Sequence, residues 1–229
     1  MIKKIFLKSK DKYFSKSYSQ EGEDMILMRI FEKQNNGFYI DVGALHPKRF
    51  SNTYYFYLKG WRGINIDATP GSMKKFNKTR PNDINIEQAV SDKKTELTFY
   101  MFNEPALNTF SEKIKDNLLN TSNYRLINKQ KLQTKKLCEI FQENLAQNQT
   151  IDFISIDVEG YDFEVLKSND WDTYIPKVIL IESHFNSLES ISNSNNLLFE
   201  FLKNKNYTLY AKTINTLIFI KNEEISLLI

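Results

Sequence analysis

The sequence predicts an α/β protein built on a doubly wound, mainly parallel sheet. Three observations lead there. A short, continuous apolar run at 38–44 reads as a strand covered on both faces, and further strand-like runs follow at 63–68, 84–90, 151–160 and 177–184. Segments with helical patterning separate most of them. Two β-rich runs, 207–213 and 216–222, flank Ile214-Asn215 and imply a terminal hairpin, hence an antiparallel strand at the end of the sheet.

The elements follow in order. Residues 1–17 form a basic N-terminal arm whose apolar run, Ile5-Phe6-Leu7, is too short for a secretory leader. Residues 18–229 form one domain. From Ser19, a residue suited to an N-cap, Glu21, Glu23 and Asp24 fall in a first helical turn. Met25, Met28, Ile30 and Phe31 give that helix its apolar side, and Asn35-Asn36-Gly37 stops it. A strand at 38–44, a helix at 51–60, a strand at 63–68, a helix opened by Pro70 and a strand at 84–90 succeed one another. Strands at 96–102 and 131–137 bracket residues 103–130, too long and polar for an ordinary connection. That segment reads as an insertion over the site, partly helical and mobile, or as a surface excursion. The strand at 151–160, a helix at 161–168, the strand at 177–184 and a helix from Asn196 complete the alternation.

Composition narrows the function. Net charge is +3 over 229 residues, too small a bias to imply nucleic acid. No stretch approaches the ~20 apolar residues of a membrane helix. The single cysteine, Cys138, excludes an intramolecular disulfide, fits a reducing cytoplasm and reads as a buried structural thiol. Trp61 and Trp171 read as core aromatics.

In a doubly wound sheet the ligand lies at the carboxyl ends of the strands, near the point where strand order reverses. The first such turn is Asp41-Val42-Gly43-Ala44-Leu45-His46. With one glycine it is neither a dinucleotide fingerprint nor a P-loop, so a bound diphosphate is not expected there. Asp67 ends the second strand 24 residues after Gly43, about where an acid meets the hydroxyls of a ribose. Small residues, Ala89-Val90-Ser91, end the third and leave room for an adenine. A ribose without a pyrophosphate is what S-adenosylmethionine offers. A nicotinamide-dependent oxidoreductase is disfavoured by the missing glycines. A non-catalytic cofactor-binding scaffold is disfavoured by the intact Asp41, Gly43, Asp67, Asp157 and His184.

Four segments, YSQEGEDMIL (18–27), FYIDVGALHPKRFSNTYYFYLKGWRGINIDATPGSM (38–73), IDFISIDVEGYDFEVLKS (151–168) and VILIESH (178–184), together resemble the FkbM-like S-adenosylmethionine-dependent methyltransferases. The resemblance implies a Rossmann-like class I methyltransferase sheet, usually of seven strands with the last antiparallel. It implies an O-methyltransferase acting on a hydroxyl of a sugar or sugar-derived acceptor, in surface-glycan or nucleotide-sugar biosynthesis. Under it, Asp41 and Gly43 sit beside the methionine part of the cofactor, Asp67 on the ribose, and Ala89 and Val90 on the adenine. Gln20 and Asp24 belong to an N-terminal motif that closes over the ligands. Ser51, Asn52 and Thr53 stand where polar groups hold the methionine carboxylate. Asp157 and Glu159 come from the Asp-Val-Glu-Gly motif, although Glu159 and Gly160 would also suit the start of the next helix.

A sugar hydroxyl is a weak nucleophile that gains from a general base. His46 and His184, the only histidines, both fall at strand ends, and His184 is the expected base, with Asp157 and Glu159 beside it. Asp157, Glu182 and His184 also form an oxygen/nitrogen set for a divalent cation, Mg²⁺ or Mn²⁺. That set requires Glu182, which shares His184's strand parity, to face the site. Lys48, Arg49 and Arg62 lie near the first turn, as surface charges or as partners of a phosphorylated acceptor.

Overall fold

The computed structural model describes residues 15–183 and 197–225. Strands β1 (Phe38–Val42), β2 (Arg62–Asp67), β3 (Ile84–Glu87), β7 (Phe153–Ile156), β8 (Val178–Glu182), β9 (Tyr207–Lys212) and β10 (Thr216–Lys221) form one seven-stranded sheet in the order β3-β2-β1-β7-β8-β10-β9. β10 runs antiparallel to both of its neighbours and the remaining pairs are parallel. The chain winds outward from β1 through β2 to β3, then returns to the other side of β1 as β7. The switch point therefore lies between β1 and β7.

Both faces of the sheet are covered because successive side chains alternate. Ile40, Val42, Ile64, Ile66, Ile154 and Ile156 point to one side, where α5 (Leu137–Asn144), α6 (Asp162–Lys167) and α7 (Leu197–Asn204) pack. Tyr39, Phe153, Val178 and Leu180 point to the other, against Leu27 of α1 (Glu23–Ile30), Phe31 just after it, Phe56 of α2 (Tyr54–Leu58) and Trp61. Phe153 stands at the centre of that face, with ring centroids of Phe31, Tyr39, Phe56 and Trp61 between 5.0 and 6.0 Å away.

Several boundaries differ from the sequence reading, each for a local reason. α1 begins at Glu23 after Gly22 in a left-handed conformation (φ 89°), and Ser19 is not its N-cap. The Ser19 hydroxyl instead accepts from the Gly22 and Asp24 amides in the turn before it. Pro70 lies in a turn ahead of α3 (Met73–Thr79) rather than inside its first turn. The run 84–90 is two strands, since at Gln88 the chain leaves β3 and enters β4 (Ala89–Val90). β4 belongs to a second sheet of order β4-β6-β5, with β5 (Glu96–Phe102) and β6 (Leu126–Lys135) antiparallel.

β6 thus takes up the last residues of the expected insertion. The rest holds a 3₁₀ turn at Pro105–Leu107 and α4 (Glu112–Thr121), so the segment is partly helical, as expected. Helix α5 was hidden behind the apparent strand 131–137, and Cys138 on it is half-buried rather than buried. A four-residue helix, α8 (Asn222–Ile225), ends the described chain. Trp61 is buried and Trp171 packs against the core, as expected of core aromatics.

Truncating Phe153 to alanine opens a void where four aromatic rings meet. Phe153→Ala is expected to cost about 3–5 kcal/mol, read as a lower urea midpoint with little change in slope.

Candidate active site

A cleft opens at the carboxyl ends of β1, β2 and β7, at the switch point. Gly43, Leu45 and Asp157 form one half of its lining. Asp67, Thr69, Gln88, Val90, Phe99 and Phe110 form the other.

The floor is made by two turns in direct contact. The Asp157 amide donates to Val42 O at 3.0 Å, and Gly43 N to Ile66 O at 2.9 Å. Gly43 has φ 81°, and a Cβ there would stand 1.7 Å from the Asp157 carbonyl oxygen. No other residue fits without separating β1 from β7. Asp67 is oriented by two backbone donors, Leu45 N to Oδ2 at 2.9 Å and Thr69 N to Oδ1 at 2.8 Å. An ionised carboxylate has about four acceptor sites, so ribose hydroxyls can still bind. Burial pushes its pKa up and the two amides oppose that shift.

The small sheet supplies the far wall. Phe99 of β5 and Phe110 pack with centroids 4.6 Å apart. Gln88, at the joint between the sheets, donates its backbone N–H to Asp67 O and its side chain to Gln133 O. Arg49 makes two parallel 3.0 Å bonds to Glu104. That pair ties the turn after β1 to the 3₁₀ turn, and Phe50, Pro105 and Ala106 beside it all line the cleft.

Beyond β7, Glu159 and Gly160 are both left-handed, φ 53° and 93°. For glutamate this conformation is strained. Asp162 holds the loop, accepting from Val158 N and Gly160 N at 3.0 Å each. Thr109 Oγ1 donates to Glu159 O at 2.7 Å, and Ile114 of α4 packs on Gly160. The Glu159 amide donates to the Glu182 carboxylate. Carboxylate oxygens of Asp157, Glu159 and Glu182 consequently lie within 4.8 Å of one another. Glu182 faces the site, the orientation its strand parity left open.

Like charges so close cannot all ionise near neutrality. Enclosure by protein, then the neighbouring acids, push Glu159 up to about 8 and Glu182 up to about 9. Asp157 is open to the cleft and walled by protein on its other sides; it too is raised well above the usual range, by that enclosure and then by Glu182 and Asp162.

Of the residues expected here, Gln20, Gly43, Asp67, Val90, Asp157 and Glu159 line the cleft. Six others do not. Asp24 accepts from Ser17 Oγ, Tyr18 N and Ser19 Oγ and fixes the segment that carries Gln20. Asp41 accepts from Thr53 Oγ1 at 2.6 Å, and Ser51 and Thr53 meet Arg80, so all three face a buried network beneath the turn. Asn52 donates to Ser155 Oγ on β7. Ala89 packs under Phe99 and Phe110. His184 lies outside the described residues. His46 accepts on Nδ1 from Lys48 N and Arg49 N at 3.1 Å and so orders its own turn. Sequence reasoning missed Arg80, Phe99 and Phe110. An arginine just after a helix and phenylalanines in the small sheet carry no local sign of the cleft.

The sheet order, with β10 antiparallel between β8 and β9, is that of a class I methyltransferase fold. Residues 41–209 match the model of the methyltransferase FkbM domain, and the chain belongs to that family. Among solved structures, a protein from Pyrococcus horikoshii described as a "putative RNA methyltransferase" is similar at a TM-score of 0.44 and 10% identity, over 93% of this chain and 94% of that one. No curated protein matches the chain.

The three raised carboxyls fix the sign of a pH effect. Each holds its proton more tightly folded than unfolded. Between the ordinary glutamate value of 4.5 and about 8 to 9 the folded state therefore carries the extra protons, and stability falls as pH rises through that window. The melting temperature is expected to drop from about pH 5 to about pH 9, and Glu182→Gln to flatten the slope. A slope of the opposite sign would contradict the assignment.

Proposed function

We propose that the chain is an O-methyltransferase acting on a hydroxyl of a sugar or sugar-derived acceptor, within surface-glycan or nucleotide-sugar biosynthesis. The observation that carries this is the convergence of Asp157, Glu159 and Glu182 beside the cofactor cleft. The acceptor class follows the family resemblance. The carboxylates support it, because a weakly acidic hydroxyl needs a base more strongly proton-binding than an ordinary surface carboxylate. The lone cysteine supports a cytoplasmic setting, and among the described residues no helix is long and apolar enough to cross a membrane.

S-adenosylmethionine supplies an electrophilic methyl group on its sulfonium. Asp67 would accept from the ribose hydroxyls, Val90 and the Phe99–Phe110 wall would flank the adenine, and Gly43, Leu45 and Gln20 would border the methionine portion. Orientation of this kind can lower a barrier by about 7–11 kcal/mol. With the donor bound, the acceptor oxygen would take the methyl group as the carbon–sulfur pair returns to sulfur, and the hydroxyl proton would pass to an ionised member of the carboxylate cluster. Glu159, held by its amide and carbonyl, is the base we favour, with Asp157 nearest the cofactor turn and His184 outside the described residues.

A second reading gives the same three acids a Mg²⁺ or Mn²⁺ ion, since an all-oxygen set suits a hard cation. It differs from the set expected from sequence in replacing His184 by Glu159. The cation would bind and acidify the acceptor hydroxyl.

Incubation with S-adenosylmethionine and a panel of nucleotide sugars and glycan fragments, read as mass gains of one methylene, tests the acceptor. No gain on any hydroxyl-bearing member would sink the sugar assignment. Glu159→Gln is expected to lower turnover by about 10²–10⁴-fold with cofactor affinity nearly unchanged. Full activity after exhaustive chelation would remove the cation. Asp67→Ala is expected to weaken S-adenosylhomocysteine binding about tenfold or more, from loss of hydrogen bonds worth roughly 1.5–3 kcal/mol each.

A further inference from the structure

Arg80 follows α3 and is fully buried. Its guanidinium makes five hydrogen bonds: Nε and Nη2 to Pro47 O at 3.0 and 2.6 Å, Nη2 to Ser51 Oγ at 2.6 Å, and Nη1 to Thr53 Oγ1 at 2.7 Å and Asn65 Oδ1 at 3.0 Å. The arginine side chain has five N–H donors, so its donor capacity is matched. Asp83 stands 4.0 Å away, and the rings of Tyr54, Tyr57 and Phe76 lie over the guanidinium.

Three of those partners, Pro47, Ser51 and Thr53, belong to the turn that leaves the cofactor cleft. That turn is held in unfavourable backbone, with Leu45 at φ 51° and Phe50 at φ 55°, conformations that need their surroundings to fix them. Leu45 and Phe50 both line the cleft. Arg80 also reaches the strand before the turn. Thr53 Oγ1 accepts from Arg80 and donates to Asp41 Oδ2, and Asp41 lies two residues before Gly43. One side chain thus anchors the turn at both ends, without lining the cleft itself.

We infer that Arg80 is a positioning residue for cofactor binding: it sets the turn 43–53 against the methionine half of S-adenosylmethionine. The fork geometry is what matters. A lysine offers one point charge and cannot span Pro47, Ser51, Thr53 and Asn65 at once. The inference rests on the proposed placement of the methionine portion beside Gly43 and Leu45.

The test compares two ligands on the full chain by calorimetry, well below the melting temperature. S-adenosylhomocysteine reports on the whole cleft, and adenosine on the half formed by Asp67, Val90 and Phe99. For Arg80→Lys, affinity for S-adenosylhomocysteine is expected to fall about tenfold or more, the scale of a misplaced binding group, with adenosine affinity within about threefold. Should Arg80→Lys not fold, Thr53→Val, which removes only the hydroxyl between Arg80 and Asp41, is expected to act in the same direction and more weakly. A lower melting temperature with both affinities unchanged would assign Arg80 to stability alone and overturn the inference; equal weakening of both ligands would overturn it too. Failure of the wild-type chain to bind S-adenosylhomocysteine would refute the cofactor placement itself.

Discussion

One buried charge organises the cleft side of the sheet. Arg80 brings a permanent cation into a region that burial would otherwise make costly for any ion, and the fold answers with hydroxyls, a carbonyl and an amide oxygen around it. Around this centre Tyr39 donates to Asp83 at 2.6 Å, Asn65 donates to the same carboxylate, and Gly63 N completes its shell. Breaking a buried set of this kind by removing one charge typically costs about 3–5 kcal/mol, since the remaining partners stay desolvated. β1, β2 and the turn between them are therefore joined by polar contacts as much as by apolar packing.

The two acidic regions of the molecule contrast in what surrounds them. Asp41 and Asp83 share Arg80, whose charge opposes the upward shift that burial imposes on them. At Asp157 the acting charges are other acids, Glu182 and Asp162 foremost, and they add to the shift. The first arrangement is compensated and structural. The second binds protons tightly near neutrality, so only its ionised fraction can take one from a neighbouring group. Both regions meet at the contact of Gly43 with Asp157, so the geometry of one is passed to the other through backbone.

The fold was largely legible because buried parallel strands leave continuous apolar runs, and those at 38–42, 153–156 and 178–182 are unmistakable. The split at Gln88 was not, since nothing local marks where a run of alternating residues changes sheets. α5 was masked by lysines and β-compatible residues that continue β6. Within the site, positions fixed by backbone, such as Gly43 and Asp67, were readable from spacing to the strand end. Ser51 and Thr53 lie in the turn after β1 and Asp41 on β1 itself, yet their side chains turn inward toward Arg80, a partner distant in sequence that no local signal marks. Glu159 was recognisable by motif, and its strained backbone became visible only in three dimensions.

The small sheet joins the large one at Gln88, where the chain passes from β3 to β4, and is tied to the cleft floor by Arg49 with Glu104 and by Thr109 with the Glu159 carbonyl. The hairpin it carries forms a wall of the cleft. Changes in that hairpin leave the seven strands untouched only where they spare Phe99, Glu104, Thr109 and Phe110. Descendants of such a chain can therefore reshape the rim of the cleft by drift in one appendage, but only at positions apart from the wall and the Glu159 loop, where the two sheets change together.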